Sequence, residues 1–225
     1  MAKRITLTAK DGHRLDALRA DAPGRAKGGI VVIHFVFGMT DHIGEVCDDF
    51  AAQGYSAVAP CLYDRVGKNL LFPYGDEGAM TGHKVYLQIA EHPEAIVADV
   101  AAAVDAVKPS CKVAVSGFCL GGTWTWVAAA QLPIDSAVAF YGSHIPAFLQ
   151  YSPRVPTQLH YGDSDPVVPM HDIDKIRKAC PDVPIHIYPG CGHGFYNPNL
   201  KSFNASSAAL VRERALEFLD AHIAR

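Results

Sequence analysis

Residues 113–124 read Val-Ala-Val-Ser-Gly-Phe-Cys-Leu-Gly-Gly-Thr-Trp. A short apolar run with strand character enters Gly117-Phe-Cys119-Leu-Gly121-Gly122 and passes directly into a helical segment. G-x-C-x-G-G between a strand and a helix is the pattern of a nucleophile elbow, with cysteine in the position usually held by serine. The glycines have a steric reason. The nucleophile occupies a strained turn, and side chains at Gly117 and Gly121 would collide with the neighbouring strand and helix. Such a turn presents the Cys119 thiol at the positive end of the following helix, which favours the reactive thiolate. It also aims the Leu120 amide at a developing oxyanion. Taken alone, the motif is also compatible with a small buried cysteine beside a glycine-rich turn.

Outward from this stretch, apolar runs recur at 29–34, 56–60, 112–115, 136–141, 157–161 and 184–188, rich in Val, Ile, Ala and Tyr and without strict alternation. That is how strands buried on both faces read. Helical stretches fall between them at 42–53, 94–107, 121–130, 170–180 and 205–224, several closed by Gly or by a following Pro. Segments 4–8 and 15–20 flank Asp11-Gly12, a hairpin signal. The expectation is a single α/β domain over residues 1–225, a mostly parallel central sheet with helices on both faces and the hairpin at its edge. Residues 63–85, with five glycines and prolines and several aromatics, break the alternation. They read as an irregular connection or a ligand-facing loop.

Two loops complete a chemical pattern. Tyr161-Gly-Asp163-Ser-Asp165-Pro-Val-Val-Pro follows one strand, and Gly192-His193-Gly-Phe195 follows the last. Nucleophile, acid and histidine thus occur in the chain order of α/β-hydrolases. Asp165, immediately before Pro-Val-Val-Pro, is the expected acid, and Asp163 a turn former. In this reading Cys119 attacks an acyl carbon, His193 shuttles its proton, and Asp165 fixes the imidazole tautomer. The second oxyanion amide is expected in the loop His34-Phe-Val-Phe-Gly38, at Val36 or at its neighbour Phe35. The aromatics Phe35, Phe37, Tyr74, Tyr86, Phe118, Tyr141 and Phe195 are expected to shape an apolar pocket, although any one of them singly reads as core.

Composition narrows the partners. The 225 residues carry 20 basic and 23 acidic side chains, a net charge of −3. Nothing there attracts nucleic acid or an anionic membrane. No apolar run has transmembrane length, and the N-terminus lacks a signal-peptide core. Six scattered cysteines without a CxxC pair fit reduced thiols in the cytoplasm. The eleven histidines show no H-E-x-x-H spacing. No metal and no cofactor is expected, and the partner is a small-molecule substrate of a monomer or small homo-oligomer. Competing readings are a catalytically altered fold that binds a ligand, a thiol redox protein using Cys119 with Cys191, and a thioesterase with the same triad.

The chain resembles the dienelactone hydrolase (carboxymethylenebutenolidase-like) family over nearly its whole length. The matching residues are His34–Gly38 with Asp41, Gln53–Pro60, Leu62-Tyr63, the 117–122 elbow, Gly162–Pro169 and 192–195. The resemblance implies an α/β-hydrolase fold and cofactor-free hydrolysis of esters or lactones by a cysteine nucleophile. Three departures accompany it. Phe35 stands where the family carries a glutamate that contacts the resting thiol. Tyr196-Asn197 and the 79–83 region lack the two arginines that hold a substrate carboxylate, and the one cation near the latter is Lys84. A neutral or differently anchored ester is therefore expected in place of dienelactone itself.

Overall fold

The computed structural model describes residues 1–108 and 112–224; Cys111, one of the six cysteines, lies outside them. Among these described residues eight strands form one sheet in the order β1-β2-β4-β3-β5-β6-β7-β8. β1 (Lys3–Thr8) and β2 (Arg14–Ala20) make the antiparallel hairpin. Its turn is braced by the Asp11 side chain, which accepts the His13 N–H at 3.0 Å, while Gly12 adopts φ +86°. β2 lies antiparallel to β4 (Ser56–Pro60). Beyond that pair every neighbour is parallel, through β3 (Gly29–Ile33), β5 (Val113–Phe118), β6 (Ser136–Phe140), β7 (Thr157–Gly162) and β8 (Ile185–Tyr188). Parallel strands bring their C-terminal ends to one edge, so the loops after β3, β5, β6, β7 and β8 converge there.

Among the described residues six α-helices cover the sheet: α1 (Asp41–Ala52), α2 (Asp76–Ala90), α3 (Pro93–Val107), α4 (Leu120–Gln131), α5 (Met170–Ala179) and α6 (Ala205–Ile223). Strand β3 shows why alternation is missing from its sequence. Ile30 and Val32 join the core of α1 and α6 (Ile43, Phe50, Val211, Leu219), while Val31 and Ile33 join that of α3 and α4 (Val100, Val104, Trp124, Val127). Both faces are dry, so both must be apolar. Among the described residues no helix is long and apolar enough to cross a membrane.

The stretch 63–85 departs from its reading as an irregular segment. Leu62–Arg65 is a short 3₁₀ turn, and α2 starts at Asp76. Glycine inside a helix ordinarily weakens it by about 1 kcal/mol. Gly78 and Gly82 have a packing reason to be there. A Cβ at Gly78 would overlap the Pro73 carbonyl, and one at Gly82 would overlap the Val36 carbonyl. Gly82 lets α2 lie directly on the loop that follows β3, and Gly78 lets the chain entering the helix fold back against it.

A buried polar chain crosses β7 and β8. Gln158 Oε1 can only accept, so His160 Nε2–H donates to it at 3.0 Å, and His160 Nδ1 accepts the Tyr188 hydroxyl at 2.9 Å. The Gln158 amide donates to His186 Nε2 at 3.0 Å. Burial holds His160 well below its ordinary value, with the charges of His186 and Arg214 acting in the same direction. An unfolded chain therefore takes up a proton near pH 6.5 that the folded chain refuses, and stability falls as pH drops below that point. We expect denaturant unfolding to lose about 1–2 kcal/mol more between pH 7.5 and 5.5 in the wild type than in His160→Gln. Equal losses would mean that His160 does not carry the dependence.

Candidate active site

Cys119 sits between β5 and α4 with φ 55° and ψ −116°, a left-handed conformation that side chains other than glycine rarely adopt. Backbone bonds hold the turn: Cys119 N–H donates to the Phe140 carbonyl at 2.9 Å, and the Thr123 and Ser143 N–H groups each donate to the Cys119 carbonyl at 3.3 Å. A Cβ on Gly117 would overlap the Gly121 carbonyl of α4, and a Cβ on Gly121 would overlap the Ile33 carbonyl of β3. Strand, turn and helix can therefore close only with glycine at both places.

The loop after β7 carries Asp165, almost wholly buried. Its Oδ1 accepts the Val167 and Val168 N–H groups at 2.7 and 3.0 Å, and its Oδ2 accepts His193 Nδ1–H at 2.8 Å. Asp163 is exposed and instead accepts the Gly190 N–H at 2.7 Å and the Ser164 hydroxyl at 2.9 Å. It ties the β7 and β8 loops together. His193 stands edge-on to Tyr141 at 5.1 Å, and its carbonyl accepts the Ser202 hydroxyl.

Cys119 and His193 shift each other's titration. Burial pushes the thiol up, but the nearby His193 charge, the Leu120 amide and the Ser143 hydroxyl outweigh it, leaving the thiol below its ordinary value. Burial pulls His193 down, and the Cys119 thiolate together with Asp165 reverses that, so the imidazole is raised. Both shifts favour a thiolate–imidazolium pair. Two other thiols, Cys47 and Cys61, behave oppositely, since burial pushes both up to about 12.

The loop after β3 is pinned at each peptide. The Phe35 carbonyl, in the same peptide unit as the Val36 N–H, accepts the Gly38 N–H at 3.1 Å and His34 Nδ1–H at 2.8 Å. His34 Nε2 accepts the Leu62 N–H at 3.2 Å, which sets the tautomer, and burial pushes this imidazole down to about 4, so it is neutral. The Val36 carbonyl accepts the Tyr63 hydroxyl at 2.9 Å and abuts α2 at Gly82. The Val36 amide is thus held at a fixed angle by neighbours on either side.

A cavity of about 400 Å³ opens beside His193, lined by Val36, Phe37, Tyr74, Ala79 and Leu200, with Asp76 and Lys201 among its polar residues. Of the seven aromatics expected there, Phe37 and Tyr74 line it. Phe35 is buried behind them, edge-on to Phe37 at 5.6 Å and stacked on His42 at 6.1 Å. Tyr86 and Tyr141 lie close enough to Cys119 for its charge to add to the effect of burial in raising their hydroxyl pKa. Phe118 and Phe195 correct the expectation, because both are core side chains. Phe118 stacks on Phe140 at 4.7 Å, and Phe195 packs on Tyr188 at 5.2 Å. Among the described residues no group of three or more His, Cys, Asp or Glu is placed to hold a metal.

The sequence gives no bracing role to His34 or Tyr63, and Ser143 and His144 do not stand out in it at all. Tyr63 and His34 brace the β3 loop, while Ser143 and His144 follow β6 directly onto the thiol. The position of the latter pair at a strand's C-terminal end was the available signal.

The fold and this strand-end constellation define the α/β-hydrolase class. Residues 15–223 match the dienelactone hydrolase family. The chain is 32% identical to the carboxymethylenebutenolidases of Pseudomonas putida and Pseudomonas knackmussii over 97% of its own length and 96% of theirs. Among solved structures it resembles a dienelactone hydrolase-like promiscuous phosphotriesterase from metagenomic libraries, with TM-score 0.80 and 20% identity over 98% of this chain and 99% of that one. The dienelactone hydrolase of Anabaena variabilis gives 0.71 and 16% over 100% and 99%. The chain belongs to the dienelactone hydrolase family, a hydrolase acting on esters or lactones.

Proposed function

We propose that this enzyme hydrolyses small esters or lactones through a covalent acyl-enzyme on Cys119, with His193 and Asp165 completing the triad. The observation that carries this reading is the Asp165–His193 bond at 2.8 Å, joined to a thiol held below its ordinary value at a strained turn. The Cys119 thiolate adds to the carbonyl carbon, and the oxyanion accepts from the Leu120 and Val36 amides. Collapse breaks the C–O bond, and His193 gives its proton to the departing alkoxide. Water then attacks the thioester while His193 takes its proton, and a second collapse releases the acid and restores the thiolate. Asp165 holds Nδ1–H throughout, leaving Nε2 free for the moving proton. A reducing, cytoplasmic setting is part of this proposal, because the reaction needs Cys119 as a free thiol.

The substrate proposed is small and largely neutral, in keeping with the apolar walls offered by Phe37, Tyr74, Ala79 and Leu200. A panel of short-chain aryl esters, enol lactones and thioesters, quenched in acid and digested, tests both parts. The expected result is turnover of the oxygen esters, with an acyl mass increment on the peptide containing Cys119. Turnover without that adduct at any quench time, together with full activity in Cys119→Ala, would reject the covalent route.

A further inference from the structure

We propose that Ser143 and His144 form a second hydrogen-bond chain to the nucleophile, separate from His193, which stabilises the Cys119 thiolate. This rests on the reading of Cys119 as nucleophile. Cys119 Sγ lies 3.9 Å from Ser143 Oγ, and Ser143 Oγ lies 2.9 Å from His144 Nδ1. The dipeptide is anchored to the nucleophile's own element. Ser143 N–H donates to the Cys119 carbonyl at 3.3 Å, and His144 N–H donates to Thr123 Oγ1, in the first turn of α4, at 3.0 Å. Backbone bonds already fix both residues, so their side chains are free to serve the thiol.

The direction of the chain follows from donor counts. A thiolate can only accept, so the single Ser143 hydroxyl proton points to Sγ. Oγ is then an acceptor, and His144 supplies Nδ1–H. A neutral imidazole does so in its Nδ1–H tautomer. Burial holds His144 below its ordinary value, and the charges of His83 and His193 act in the same direction. No net proton moves along the chain; it supplies two aligned dipoles. When Sγ is protonated, S–H donates to Oγ, the hydroxyl proton turns to Nδ1, and His144 passes to its Nε2–H tautomer by proton exchange with solvent. Ser143 touches the reacting atom and is a catalytic residue in this scheme. His144 acts through it and is a positioning residue, held by the parallel His83 ring at 6.0 Å and by Tyr86 at 5.7 Å.

The remaining groups around the thiol are His193, with Asp165 behind it, and the hydroxyls of Tyr63, Tyr86 and Tyr141.

Iodoacetamide alkylation rate against pH, with mass spectrometry locating the label, is the test. The wild type should alkylate at Cys119 with its midpoint below the ~8.5 of an ordinary thiol. Ser143→Ala should move that midpoint up by about one unit, making alkylation about tenfold slower at pH 6 and equal at the high-pH limit. Ser143→Thr keeps the hydroxyl and should keep the midpoint. His144→Ala should shift it in the same direction by about half as much. His144→Asn, whose amide N–H replaces Nδ1–H, should restore it. The shared high-pH limit and far-UV circular dichroism report that each variant is folded. Superimposed Ser143→Ala and wild-type profiles, or equal shifts for His144→Ala and His144→Asn, overturn the chain while leaving the nucleophile in place. A label on another cysteine overturns the assignment of Cys119 itself, and the chain with it.

Discussion

Cys119→Ala should lose ester turnover by at least about 10³-fold in kcat/KM while its melting temperature stays within a few degrees of wild type. The thiol is half-buried at the mouth of a turn whose shape is set by Gly117, Gly121 and the bond to the Phe140 carbonyl, none of which needs sulfur. Alanine tolerates φ 55° about as well as cysteine does, so the elbow persists. Cys47 and Cys61 provide the contrast. Their thiols are pushed up to about 12 by burial, so neither supplies a thiolate at neutral pH. Replacing either should spare the chemistry and cost about 1–2 kcal/mol of stability. Cys119→Ala turnover within tenfold of wild type would end the triad assignment.

Asp165→Asn should lower kcat by about 10²–10⁴-fold. The reason lies in what Oδ1 already holds. Two backbone N–H groups, of Val167 and Val168, demand an acceptor there, so the asparagine oxygen must take that place. Its NH₂ then faces His193 Nδ1, which can respond only by accepting. The imidazole proton moves to Nε2, where it faces the thiol, and His193 can no longer take a proton from it. The charge that favours imidazolium is lost as well. Asp163→Asn keeps an acceptor for the Gly190 N–H and should cost less than tenfold. A larger loss at Asp163 than at Asp165 would transfer the role of acid.

The parallel strands and the elbow were legible because burial on both faces leaves an unmistakable apolar run and because close backbone approach can be met only by glycine. The hairpin was legible from Asp11-Gly12. Helix α2 was not. Its Gly78 and Gly82 read as breakers, since the carbonyls that require them, at Pro73 and Val36, can be known only from the tertiary structure. The division of the aromatics into wall and core was half available. Gly117 faces α4, so the next strand residue, Phe118, must face the opposite layer, toward Phe140 and α6. Alternation alone would have removed Phe118 from the pocket. Phe195 offered no such clue, because it follows a glycine loop with no period. Ser143 and His144 were hidden for a related reason, as Tyr-Gly-Ser-His after a strand looks like any polar turn.

The contact between Gly82 and the Val36 carbonyl divides α2 into an inherited face and a tunable one. Gly82 seats the helix against the Val36 carbonyl and Gly78 seats it against the Pro73 carbonyl, so a methyl group at Gly82 displaces the loop after β3 and one at Gly78 displaces the chain entering the helix. One turn away, Ala79 borders the cavity, and Met80 and Leu87 are exposed. Laboratory evolution of substrate scope therefore has a natural boundary. Diversity at positions 76 and 79 reshapes the cavity wall with the Gly82 contact unchanged, whereas recombination that exchanges α2 alone, without residues 34–38, separates two halves of one mechanical unit.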